Sequence, residues 1–182
     1  MALSVAAARP ARQAVLCLLM LAGAVQARPG LPATPERKLK AAYIYRVATF
    51  VDWPDAAFAR PGDPLRVGIA GDDALADEAE RFMAGRLVHG RPLAVVRVGS
   101  RAVPPGLHIL FAGATPARAR LLGAVRSQPV LTMCDGLPAP GCVVGLVADG
   151  GRLRLRIDRL DALAAQLRIS ARLLALAAWY RP

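Results

Sequence analysis

The chain has 182 residues, 55% hydrophobic and 5% aromatic, and its 24 Lys and Arg against 13 Asp and Glu give a formal net charge of +11. That length suits one domain burying about 70% of its unfolded surface and argues against a second. The basic excess invites a nucleic-acid role, but the arginines are scattered singly, aromatics for base stacking are few and no binding motif is present. The charge is left to favour an acidic protein partner or anionic lipid headgroups.

Residues 1–12 carry Arg9 and Arg12 and no acid, residues 14–25 form the apolar run AVLCLLMLAGAV, and Val25-Gln26-Ala27 offers small residues at signal-peptidase spacing. This predicts a secretory signal peptide, residues 1–27, cleaved after Ala27 and followed by export to the periplasm. The apolar run is short of the roughly 20 residues that cross a bilayer. Cleavage removes Cys17, Arg9 and Arg12, which leaves 22 basic and 13 acidic residues and a net charge of +9.

Residues 28–33, with Pro29, Gly30 and Pro32, read as a flexible leader, and a single domain is expected over 34–182. Thr34 as N-cap and Pro35 at the first position open a helix on which Leu39, Tyr43, Val47 and Phe50 recur at helical spacing. It is predicted to run to about residue 52, where Pro54 stops it. LRVGIA, 65–70, reads as a buried strand, and Gly71-Asp72-Asp73 leads into a helix over 74–85. Strands follow at 91–98, 107–112 and 129–133, with a helix at 115–126 between the last two. Strands alternating with helices predict a layered α/β domain with a mostly parallel sheet.

The last third changes character. Residues 142–148 and 153–157 are separated by Asp149-Gly150-Gly151, a hairpin signal, and Arg152, Arg154 and Arg156 alternate with Leu153, Leu155 and Ile157. Two short helices follow, capped by Asp158 and Ser170, the second carrying Leu173, Leu174, Ala177 and Tyr180. The expected fold is an α/β single-domain layered sandwich, with a mostly parallel central sheet and a C-terminal antiparallel hairpin, flanked by helices.

Once Cys17 is lost, Cys134 and Cys142 in CDGLPAPGC are the only cysteines, and an even count in an exported chain points to a disulfide. A metal would find only half a tetrahedral shell in the pair, with His89 and His108 as the sole soft ligands left. Asp72 and Asp73 fit helix capping better than phosphate binding, since neither GxGxxG nor a Walker pattern is present. Asp77 and Glu78 fit the same helix start rather than a pair of hydrolytic carboxylates. Neither His89 nor His108 has a nucleophile or acid at a recognisable spacing, and the reading is non-enzymatic, with no catalytic residue, metal or cofactor. Trp53, just past the first helix, is either a core plug or part of a contact surface, and the same alternatives stand for Ile169, Leu173 and Trp179.

The segments KAAYIYRVATFVDWP (40–54), LRVGIAGDDALADEAERFMAGRLVHGRPLAVVRV (65–98), HILFAG (108–113), PVLTMCD (129–135) and LRISARLLALA (167–177) together resemble the YfiR-like family in order and spacing. The resemblance implies a periplasmic α/β protein, often dimeric, that binds the periplasmic domain of an inner-membrane diguanylate cyclase or similar sensor. Holding the cyclase inactive lowers cyclic di-GMP and biofilm formation, and an outer-membrane lipoprotein can sequester the inhibitor. Family members with two disulfides carry a cysteine where this chain has His108, so only a Cys134–Cys142 bridge carries over. Arg156-Ile157-Asp158 replaces a family E-I-N, and Gly145 replaces an Asn. Partner contact is expected at the hairpin and C-terminal helices, at Trp53, Arg154, Arg156, Asp158, Ile169, Arg172 and Leu173. Reduction of the bridge is expected to loosen recognition as well as stability. The alternative from the fold is a small-ligand module with a metabolite in the crevice at the carboxyl ends of the strands.

Overall fold

The computed structural model describes residues 33–177 and 179–181; the expected signal peptide and residues 28–32 of the expected leader lie outside them, as do the side chains of Trp179, Tyr180 and Arg181, while Ala33, the leader's last residue, belongs to the first helix. The first helix, α1, spans Ala33–Ala48, with Glu36 in its first turn and Arg46 in its last, both suited to the helix dipole. It starts ahead of the expected cap at Thr34 and ends well before residue 52. Thr49 closes it by turning its hydroxyl back onto the Arg46 carbonyl at 2.7 Å. Val51–Asp52 then leave the helix as a short strand, β1, because Val51 finds an antiparallel partner in Ile169 far down the chain.

The central elements follow the expected order. After a 3-10 turn at Asp55–Ala57 come β2 (Leu65–Ala70), α2 (Asp73–Met83), β3 (Leu87–Val88), β4 (Arg91–Val98), β5 (Ile109–Ala112), α3 (Arg118–Ala124) and β6 (Leu131–Asp135). The Asp72 side chain caps α2 by accepting from the Leu75 N–H. His89 and Gly90, both at positive φ, make the two-residue turn between β3 and β4. Strands β7 (Val144–Asp149) and β8 (Arg152–Asp158) form the expected antiparallel hairpin, turning at Gly150 and Gly151, again with positive φ at both. Then come α4 (Arg159–Ala164), β9 (Arg168–Ile169), α5 (Ala171–Leu176) and β10 (Trp179–Arg181). Asp158 and Ser170 cap α4 and α5 as the sequence predicts. Tyr180 is not on the last helix: the chain leaves α5 and returns as β10, parallel to β8.

The main sheet has the strand order β10-β8-β7-β6-β5-β2-β4-β3. Its run β4-β2-β5-β6-β7 is parallel throughout and has the doubly wound order 2-1-3-4-5, with helices on both faces. Strands β5 and β6 are buried along Ile109–Ala112 and residues 131–134, which is why they read as unbroken apolar runs. On one face Val67, Ile69, Ile109, Phe111 and Met133 pack against α1 and α2. On the other, Ala70, Leu110 and Val130 pack against Leu121 of α3. The fold is the layered α/β arrangement with a C-terminal hairpin that the sequence predicts.

Candidate interaction surface

Helix α1 carries two neighbouring stripes with different fates. Ala41, Ile44, Val47 and Ala48 are fully buried against the sheet. Leu39 and Tyr43 of α1 and Phe50 just beyond its end, which the sequence grouped with Val47 at helical spacing, are only half buried. They form one wall of a groove of about 630 Å³ whose opposite walls are Leu153 and Leu155 of β8 and Leu173 and Leu176 of α5. Leu176 is 63% exposed at its mouth. Arg46, Arg152 and Arg154 also line it, and among the described residues only Arg154 of these three is ion-paired, to Asp149 at 3.4 Å. The groove thus combines an apolar floor with a cationic margin.

The strand edge beside it is half covered. β10 pairs with β8 from Arg156 to Asp158, a ladder whose first bridge uses the Leu155 carbonyl, which leaves Arg152–Arg154 without an outer strand neighbour among the described residues. The Gly136 N–H donates to the Leu146 carbonyl, so the backbone groups of Leu146 turn toward β6. By the alternation of an antiparallel ladder, those of its cross-strand partner Leu155, and of Leu153, turn outward. The outward carbonyl of Leu153 accepts the Tyr43 hydroxyl at 3.1 Å.

The disulfide loop lies on the opposite face. Cys134 and Cys142 are bridged, with Cα atoms 6.2 Å apart, and both are buried. Thr132 holds the loop from beneath: its Oγ1 donates to the Gly141 carbonyl at 2.7 Å and accepts from the Val143 N–H at 3.0 Å. The Gly141 N–H in turn donates to Asp161 of α4 at 3.0 Å. Gly145 is where the loop crosses β7. A Cβ there would stand 2.6 Å from the Gly136 carbonyl and 2.9 Å from the Pro138 nitrogen, so a side chain is excluded by backbone. A cleft of about 480 Å³ lies between this loop and Arg156, Asp158 and Asp161.

The seven residues expected to touch a partner do not form one patch. Arg154 and Leu173 line the groove, though Leu173 is buried to 1% and supports α5 from within. Arg156 and Asp158 line the loop cleft, where Asp158 also caps α4. Ile169 pairs with Val51 at the small β1–β9 sheet, and Arg172 is exposed on α5. Trp53 is a partly buried plug: it packs against the main core, and its Nε1 donates to the His108 carbonyl at 3.1 Å.

Two charged features escaped sequence reasoning. Lys40, only 5% exposed, joins Glu36 at 2.5 Å and Asp135 at 2.8 Å, tying α1 to the end of β6. Burial pulls its pKa down, but the hydrogen bonds and charges of Asp135 and Glu36 outweigh it and the net shift is upward. A lysine beside Ala41 and Ile44 was the available signal. Arg37 likewise reaches both carboxylate oxygens of Asp72 at 3.0 Å, linking α1 to the start of α2. The carboxyl-end crevice at Gly71, Val98 and Thr115 is a cleft of about 280 Å³. Gly71 abuts Thr115, and Gly113 donates to the Ala70 carbonyl at 2.8 Å, so the backbones of the two crossover loops close on each other.

Residues 37–178 match the YfiR/HmsC-like protein family. No curated protein gives a significant match to the chain. The matched span runs from the first turns of α1 past the end of α5 and takes in the sheet, the disulfide loop and the groove. The protein belongs to the YfiR/HmsC-like family.

Proposed function

We propose that this protein is a periplasmic regulator that binds the periplasmic domain of an inner-membrane diguanylate cyclase, or a similar sensor, and holds it inactive, lowering cyclic di-GMP. Membership of the YfiR/HmsC-like family across residues 37–178 is the observation that carries the reading. The protein acts by binding rather than by catalysis. Its effect is a population shift: a partner that binds only the inactive conformation moves the equilibrium by its differential affinity, about 1.4 kcal/mol per tenfold. Sequestration by an outer-membrane lipoprotein would release the cyclase, and a homodimer would present two copies of the contact surface to a dimeric receptor.

Deleting the gene tests the reading. Cyclic di-GMP should rise, and tagged protein should capture a cyclase or kinase from solubilised membranes. Unchanged cyclic di-GMP together with no captured sensor would remove the proposal.

A further inference from the structure

We infer that the groove between α1, β8 and α5 receives an acidic segment of the membrane partner, with an apolar side chain of that segment seated in the groove. The inference deepens the proposed function by giving the contact surface and the chemistry of what fills it. Two independent features point the same way.

The groove is apolar; Leu153, Leu155 and Leu173 are buried in it, and its accessible surface comes from Leu176, largely exposed at the mouth, and from Leu39, Tyr43 and Phe50, which are only half covered. Such a concave apolar surface takes an anchoring side chain. Charge then selects among occupants. Arg46, Arg152 and Arg154 border the groove, the last two on the β8 edge with their side chains alternating with Leu153 and Leu155, and Asp149 is the one acid ion-paired to them among the described residues, on a chain that is strongly basic as a whole. A second copy docked through the same groove would bring the same arginines against these, and like charges across an interface oppose association. An acidic segment gains from them, and its encounter rate should fall as salt rises.

Site-specific photocrosslinking in cells tests this with the full chain. A photoreactive p-benzoylphenylalanine replaces Leu176 in the groove, or Leu137 on the disulfide loop, which is equally exposed at 63%. The Leu176 probe should crosslink to a membrane-protein segment in which carboxylates flank apolar residues. The yield should fall about tenfold when Arg46→Glu and Arg152→Glu are combined, with the melting temperature unchanged because both side chains are exposed. The Leu137 probe should not give that product. A Leu176 crosslink to residues of the same chain, to a second copy or to lipid, a yield that survives the double charge reversal, or no product at Leu176 would each overturn the inference. A crosslink to an acidic segment of a membrane protein other than a cyclase or sensor would uphold the groove and overturn only the cyclase reading.

Discussion

Both ring nitrogens of His108 are held by backbone. Its Nδ1 accepts the Arg66 N–H and its Nε2 lies 3.0 Å from the Ala57 carbonyl, so the neutral ring carries its proton on Nε2. Phe58 stacks on the ring at 4.3 Å, with the Arg91 guanidinium over the far side of Phe58. Burial lowers the His108 pKa below 6.5, and Arg91 and Arg66 add to the effect against the Ala57 carbonyl and Asp63. A lowered folded pKa means that its contribution is complete above pH 6.5 and is lost as pH falls toward the folded value, because a second proton must displace the Arg66 N–H. Thermal melts from pH 8 to 5 should therefore show a steeper loss for the wild type than for His108→Gln, and parallel curves would contradict this. Gly145 makes a steric prediction. Gly145→Ala should cost about 1–3 kcal/mol in denaturant unfolding, since the obstructing atoms are backbone of the bridged loop and cannot rotate away. Neither role was legible in sequence. A histidine opening a strand and a glycine within one look alike whether they face solvent, a ligand or another piece of backbone.

Among the elements, the strongly periodic or capped ones were readable and the short paired ones were not. β2, β4 and the hairpin carry their pattern locally, as do the caps at Asp72, Asp158 and Ser170. β1, β9 and β10 have two or three residues each and exist because of partners distant in sequence, which no local window contains. On α1, spacing showed an apolar face but could not tell its buried stripe from the stripe that lines a groove, since both repeat at helical period. The Cys134–Cys142 bridge tests how far loop and groove are separate. Closing a loop of this size contributes about 2–3 kcal/mol, so Cys142→Ser should lower unfolding free energy by about that amount. The sequence led to the expectation that losing the bridge loosens recognition as well, but the loop and the groove lie on opposite faces of the sheet, so capture of the membrane partner per folded molecule should be unchanged. A variant that is fully folded yet captures nothing would show that the bridge shapes the contact surface itself.

For the whole molecule, the alternation of strands and helices was enough to give a layered α/β domain, and sequence order then fixed most neighbours in the sheet. What composition left open was the meaning of the positive charge. The fold concentrates part of it, Arg46 from α1 with Arg152 and Arg154 from β8, around one apolar groove, although these residues are far apart in sequence. The expected contact residues scattered because Arg154, Arg156 and Asp158, which share one side of β8, run along the strand from the groove to the disulfide-loop cleft, while Leu173 is buried beneath α5. The most direct test is cyclic di-GMP in a strain lacking this gene, complemented with wild type or with the Arg46→Glu, Arg152→Glu variant at matched periplasmic levels. Loss of the gene should raise cyclic di-GMP, wild type should restore it, and the variant should leave it high. A deletion strain whose cyclic di-GMP equals that of its parent would contradict the account.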